Sequence, residues 1–383
     1  MHRITVPPRP DWREQAHAVG FGFHTMYGAP YWTDDAAYVF SLAEIEDRIE
    51  EPSEQLHELC INLVGDLIGN DAALRRLAIP EPAWDLVRAS WRAGDLHLYG
   101  RFDLAYDGGG PAKLLEYNAD TPTSIFEAAF FQHNWLLDQQ AAGALPADAD
   151  QFNLLQECLV EAFAHWPSGA PFHFACWTDH PEDHGTAAYL MDCAAQAGHD
   201  VALLDIRQIG IDAAGRFTDA ADRTIGRCFK LYPWEDMLRE PFARQLVPGI
   251  WVEPPWKALL SNKGLLPLLW DRHPDHPNLL PAFFGDDPRT DALPNAVVKP
   301  QFGREGSNVT VRHGGTIVER TDGEYGAGPQ VVQALAPLFA AGGDHAVLGS
   351  WIVGDRAAGL GIREDAGRIT RDSARFVPHI IAG

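Results

Sequence analysis

His97-Leu98-Tyr99-Gly100-Arg101-Phe102-Asp103-Leu104-Ala105-Tyr106-Asp107 and Ala112-Lys113-Leu114-Leu115-Glu116-Tyr117-Asn118-Ala119-Asp120 flank the break Gly108-Gly109-Gly110-Pro111. Alternating apolar and polar residues on both sides of a glycine- and proline-rich break read as a β-hairpin. A four-residue turn sets Asp107 opposite Ala112, Asp103 opposite Glu116 and Arg101 opposite Asn118. Side chains alternate along a strand, so Arg101, Asp103, Glu116 and Asn118 share one face. Phe102, Leu104, Leu115 and Tyr117 make the other, core-facing one. Two opposed carboxylates are destabilising unless something cationic joins them. Two readings stand: a hard divalent ion held by oxygen ligands, or Arg101 bridging both acids as an ion pair.

Outward from the hairpin, Thr121-Pro122-Thr123-Ser124 predicts a helix running to about Gln140, with Thr121 as N-cap and Pro122 in the first turn. Such a helix start beside the acids would favour an anion. Upstream, Leu56, Leu59, Cys60, Leu63 and Leu67 recur at helical spacing, and Trp84, Val87 and Trp91 repeat the pattern over 82–93. Downstream, Phe172–Trp177, a helix over about 186–197 and Val201–Ile206 read as a βαβ unit with a parallel sheet. Strands are predicted at Ala296–Lys299, Asn308–Arg312, Gln330–Gln333, Val347–Val353 and Ala357–Arg363.

Composition narrows the function classes. The 383 residues carry 53 acidic and 30 basic side chains, a net charge of −23. That balance argues against a nucleic-acid binder, which needs a basic face. No stretch approaches the roughly 18 apolar residues of a membrane span, and Met1–Pro8 lacks a signal-peptide core. Five scattered cysteines, none in a CxxC pair, argue against a disulfide framework or structural zinc and for reduced thiols in the cytoplasm.

Three further stretches carry chemistry. Val297-Val298-Lys299-Pro300-Gln301-Phe302-Gly303-Arg304-Glu305-Gly306-Ser307-Asn308-Val309 puts a lysine at a strand end before a glycine-bearing loop. It reads as a phosphate cradle or as an ordinary hairpin with glycine turns. Lys263 in Ser261-Asn262-Lys263-Gly264 marks a helix start, where the dipole disfavours a cation. His180-Pro181-Glu182-Asp183-His184 reads as a polar helix start, its acids favoured by the dipole, rather than as a metal site.

Taken in order, Arg101-Phe102-Asp103, Leu114-Leu115-Glu116-Tyr117-Asn118-Ala119-Asp120, Ser261-Asn262-Lys263, Val298-Lys299-Pro300 with its loop, and Gly361-Ile362-Arg363 resemble the synthetase part of glutathionylspermidine synthases. The resemblance implies an α/β (mixed α+β) chain with an ATP-grasp-like ligase fold and an inserted βαβ pre-ATP-grasp-like subdomain. It implies 1–165 as a helical segment plus the metal-binding hairpin, 166–256 as the substrate subdomain and 257–383 as the nucleotide-binding lobes. By the same resemblance Asp103, Glu116 and Asn118 are Mg2+ ligands and Arg101 steadies the transition state. Lys263, Lys299, Glu305, Gly306 and Arg363 contact ATP, with Gln333, Ala334, Leu335 and Ala336 as the hinge beside the adenine. Thr121, Thr123, Glu182 and Asp183 bind substrate, the two acids holding a polyamine.

The implied activity is an ATP- and Mg2+-dependent carboxylate–amine ligase in the cytoplasm. It would join a peptide or acid to a polyamine-like amine through an acyl phosphate, with neither nucleic acid nor membrane as partner. The alternative is a catalytically silent ATP- and polyamine-binding protein on the same fold. Departures from the family pattern bear on the substrates. The synthetase-like region starts almost at residue 1, so the N-terminal amidase of bifunctional members is expected to be missing. Thr121 and Thr123 replace serines, and Leu231 stands where the family has a threonine contacting glutathione, so the acid donor stays open.

Overall fold

The computed structural model describes residues 1–326 and 328–382. Its central sheet has the strand order Arg375–Val377, Arg356–Asp365, Asp344–Val353, Tyr99–Ala105 and Lys113–Asn118, with Phe339–Ala341 beside Asp344–Val353. The two ten-residue strands are buried along almost their whole length. Helix Glu51–Leu67 covers them on one side and helix Leu155–Phe163 on the other. A strand buried on both faces must be apolar throughout, which Val347-Leu348 and Trp351-Ile352-Val353 satisfy.

The hairpin has the expected face. Arg101 pairs with Asn118 and Asp103 with Glu116. Beyond Asp103 the register shifts, and Leu104 faces Leu114 rather than Leu115. This bulge leaves Leu114 buried in the core and swings Leu115 into the cavity described below, so the expected core position of Leu115 is corrected. The paired strands end at Ala105 and Lys113, short of the expected Asp107–Ala112 pair. The Asp107 carboxylate instead accepts hydrogen bonds from the N–H groups of Gly109 and Gly110.

A second correction concerns the following helix. Residues 121–124 are non-helical, and the helix starts at Ile125, with the Ser124 carbonyl accepting from Ala128 N–H. Thr121 and Thr123 therefore belong to a non-helical segment, not to a helix cap. Ser124, at φ +71°, makes the turn into the helix.

The βαβ reading holds. Phe172–Cys176 and Val201–Asp205 run parallel, joined by helix Pro181–Gln196, and Cys228–Lys230 and Trp251–Val252 extend the sheet in parallel. A third, antiparallel sheet has the order Ala282–Phe284, Gln330–Ala334, Ala296–Pro300, Thr310–His313 and Thr316–Arg320. All five cysteines are free and buried. Among the described residues no helix is long and apolar enough to cross a membrane.

Candidate active site

A cavity of about 1050 Å³ collects the polar face of the hairpin, the loop over 302–307, the strand ends of the antiparallel sheet and the start of helix Pro181–Gln196. Arg101, Asp103, Glu116, Asn118, Thr121, Thr123, Glu182, Asp183, Lys263, Lys299, Glu305, Gly306, Gln333, Leu335, Ala336 and Arg363 all line it. Ala334 does not; it packs beside a small apolar cluster of Ala105, Leu280 and Ala336.

At its floor, Arg101 Nε and Nη2 donate to the two oxygens of Asp103 at 2.6 and 3.1 Å, and Nη1 donates to the Thr123 carbonyl at 2.8 Å. The aliphatic stem of Arg101 crosses Gly349, where a Cβ would sit 2.8 Å from Cδ, and the guanidinium lies over the Trp351 ring. Only a residue without a side chain lets Arg101 lie flat here. Asn118 Nδ2 donates to Asp103 at 3.2 Å and reaches Glu116 at 3.4 Å. Arg101 does not bridge both acids: Glu116 pairs instead with Lys263 Nζ, 2.9 Å away. Burial works to raise the Glu116 carboxyl, but Lys263 and then Lys299 outweigh it and hold it at about 2. The Lys263 cation at a helix start is thus offset by a partner from the central sheet. Its Nζ also donates to the Gly303 carbonyl at 2.6 Å, tying the loop down.

Lys299 is almost fully buried. It donates to the Leu115 carbonyl at 2.7 Å and to Gln333 Oε1 at 2.8 Å. Burial pushes it down to about 8, against the pull of Glu116. Gln333 also donates from Nε2 to the Leu114 carbonyl at 2.8 Å, so both ends of its side chain are engaged. It orients Lys299 and the bulged strand. Arg363 donates to the carbonyls of Ala374, Arg371 and Asp372 and stacks over Tyr31.

Glu182 and Asp183 sit on the first turn of helix Pro181–Gln196. Burial pushes Asp183 up to about 6, opposed by His180, whose Nδ1 lies 3.2 Å from its carboxylate, and reinforced by Glu182. In the loop, Glu305 and Gly306 take φ +53° and +67° in succession. A Cβ on Gly306 would meet the Thr370 carbonyl at 2.7 Å, so glycine is required by backbone and space alike.

Sequence reasoning gave no role to Arg304, Glu235, Asp120 or Lys230. Arg304 donates to Thr121 Oγ1 at 3.1 Å and to Glu235 at 2.6 Å, strapping the loop across the cavity mouth. Beneath it, buried Lys230 donates to Asp120 at 2.5 Å, and Asp120 accepts from Trp234 N–H at 2.7 Å. Asp120 and Lys230 lie 110 positions apart, so no local pattern signals their pairing.

The donor set suits a hard divalent cation: the Asp103 and Glu116 carboxylates face one carboxamide, which here turns its Nδ2 to both acids and would offer its oxygen to an ion once the amide is reversed. The surrounding lysines and Arg363 suit a polyanion, and Leu115, Val297, Leu335, Ala336 and Leu338 give an apolar wall for a base.

Residues 3–382 match the family described as glutathionylspermidine synthase preATP-grasp. A Haemophilus influenzae protein, provisionally named an acid–amine ligase, is 39% identical over 99% of both chains. Trypanothione synthetase of Crithidia fasciculata is 29% identical over 82% of this chain and 52% of its own length. The bifunctional glutathionylspermidine synthetase/amidase of Escherichia coli is 26% identical over 91% of this chain and 60% of its own. The chain thus spans between half and two thirds of those two enzymes. In structure, a glutathione synthetase-like effector of Globodera pallida superposes with TM-score 0.58 at 10% identity, covering 90% of this chain and 88% of its own, a likeness of fold.

Proposed function

This chain belongs to the glutathionylspermidine synthase preATP-grasp family, whose named relatives are ligases, and from that premise we propose that it joins a carboxylate to a polyamine-like amine at the expense of ATP. The observation that carries the reading is the single cavity holding an acid cluster, two lysines, an arginine and a separate acidic pair. The family's chemistry implies ATP and a divalent metal ion. Asp103, Glu116 and Asn118 would hold the ion, which we take to be Mg2+. When bound, such an ion neutralises charge on the phosphates.

The remaining work falls to side chains. Lys263, Lys299 and Arg363 bind the phosphates, with Glu305-Gly306 closing above them and Leu335-Ala336 flanking the base. A carboxylate oxygen of the acid substrate attacks the γ-phosphorus, ADP leaves, and an acyl phosphate results. Arg101 stabilises charge on the transferring group. The neutral amine nitrogen then attacks the acyl carbon, the C–O bond to phosphate breaks with its electron pair going to the phosphate, and the nitrogen's proton passes to that phosphate. Glu182 and Asp183 hold the cationic amine by paired charges, and Thr121 and Thr123 line the acid's side. The acid donor is a peptide or other carboxylate, whose identity the screen below decides.

ATP hydrolysis with Mg2+ is the test, screened against polyamines with and without glutathione, with products read by mass spectrometry. A condensed product one water lighter than its parts, formed only with ATP, supports the ligase. Tight ATP binding without product from any acid–amine pair would favour the silent binding protein.

The pH dependence follows from two groups. Asp183 binds the amine only when ionised, so amine capture strengthens as pH rises through about 6. Lys299 binds phosphate only as a cation, so nucleotide affinity of the free protein falls as pH rises through about 8. The expected kcat/KM profile is a bell with its plateau between those limits. Asp183→Asn should flatten the acid limb and leave the alkaline one; an unchanged acid limb would reject this role for Asp183.

A further inference from the structure

Behind the hairpin, on the face opposite the cavity, three side chains from separate elements meet. His57 comes from helix Glu51–Leu67, His97 from the approach to strand Tyr99–Ala105, and Asp355 from the turn between the two long strands. His57 Nε2 lies 3.0 Å and His97 Nε2 3.3 Å from the same oxygen, Asp355 Oδ1. All three ligand atoms lie within 4.8 Å of one another. We propose that His57, His97 and Asp355 form a second metal site, built for a late divalent transition ion such as Zn2+ and distinct from the acid cluster in the cavity.

The geometry carries this reading. Ligand atoms 2.0–2.1 Å from zinc at tetrahedral angles stand about 3.3 Å apart, close to the two measured edges. Two imidazoles with one carboxylate suit Zn2+ better than Mg2+, which prefers oxygen and water. The site also has an entrance. The His57 side chain is buried and that of His97 is 15% exposed, whereas that of Asp355 is 79% exposed, leaving a fourth position open to water.

The supporting contacts fit as well. The turn holding Asp355 is tied to His97's neighbour by a hydrogen bond from Gly354 N–H to the Leu98 carbonyl at 2.8 Å. His57 Nδ1 lies 3.3 Å from the Tyr117 hydroxyl, the partner that would fix the ring with Nε2 free to ligate. Tyr117 stacks on Phe102 at 4.1 Å, directly behind Asp103 and Glu116. An ion here would stiffen the hairpin from its rear.

The test uses the full chain stripped with chelator and titrated calorimetrically with Zn2+ alone, with Co2+ absorption as a reporter of tetrahedral nitrogen and oxygen ligation. Glu116→Gln serves as background to weaken the cavity site. One equivalent of Zn2+ should remain there and raise the thermal midpoint. Adding Asp355→Ala, at an exposed position that folding tolerates, or His97→Gln should weaken that equivalent by more than about tenfold and abolish the Co2+ bands. Zn2+ affinity and stoichiometry unchanged by both substitutions would overturn the site. Failure of the parent chain to bind either metal would do the same, leaving a His–Asp–His hydrogen-bonded tie. None of these readouts depends on ligase activity, so this inference and the proposed function fail separately.

Discussion

Arg101→Ala is expected to lower ATP- and amine-dependent product formation by about 10³-fold or more while nucleotide binding persists in part. Two features of the site support so large an effect. The guanidinium is pinned by three hydrogen bonds, two to Asp103 and one to the Thr123 carbonyl, so it sits in place before substrate arrives. Burial works to lower Arg101, yet Asp103 holds it above its ordinary value, so the charge is permanent. Lysine cannot reproduce the planar fork, so Arg101→Lys should recover little of the loss. Single-turnover product yield and ATP calorimetry, run on the same variants, check this. A loss under tenfold, or parallel collapse of nucleotide affinity and turnover, would mean that Arg101 only supports the floor of the cavity.

The second large effect concerns stability. Glu253 and Lys257 are fully buried, 2.7 Å apart. Glu253 also accepts from the N–H groups of Leu98 and Tyr99, and Lys257 donates to the Tyr99 carbonyl at 2.6 Å. The pair thus braces the first residues of the strand that carries Arg101 and Asp103. Burial disfavours both charges, and each is sustained by the other. Removing one partner strands the other: Lys257→Met is expected to cost about 3–5 kcal/mol. Adding Glu253→Gln should recover part of that loss, since no unpaired charge remains. Chemical-denaturation midpoints of the single and double variants test the coupling; equal midpoints for wild type and Lys257→Met would refute it.

Local pattern carried much of the architecture. Alternation around Gly108–Pro111 sufficed to put Arg101, Asp103, Glu116 and Asn118 on one face, but the expected pairs Arg101–Asn118 and Asp103–Glu116 form only because the bulge at Leu115 offsets a turn register one residue away from the expected one. The βαβ unit was legible because its apolar runs and helical spacing lie within about 35 residues. The helix start was misread because Thr-Pro is a good cap in isolation, while Thr121 and Thr123 are drawn instead to Arg304 and Arg101.

The sequence by itself thus determined the face on which the acids gather, the parallel βαβ unit and, through ordered motifs, the family. Only the tertiary structure decided how those acids are balanced. Lys263 reaches Glu116 and Lys299 reaches the Leu115 carbonyl from 147 and 184 positions away. The bulge at Leu115, the Arg304 strap, the Glu253–Lys257 brace and the His57–His97–Asp355 cluster are of the same kind. Charge pairing acts through space between elements that the sheets bring together, and periodicity along the chain encodes only which way a side chain points, not what it meets.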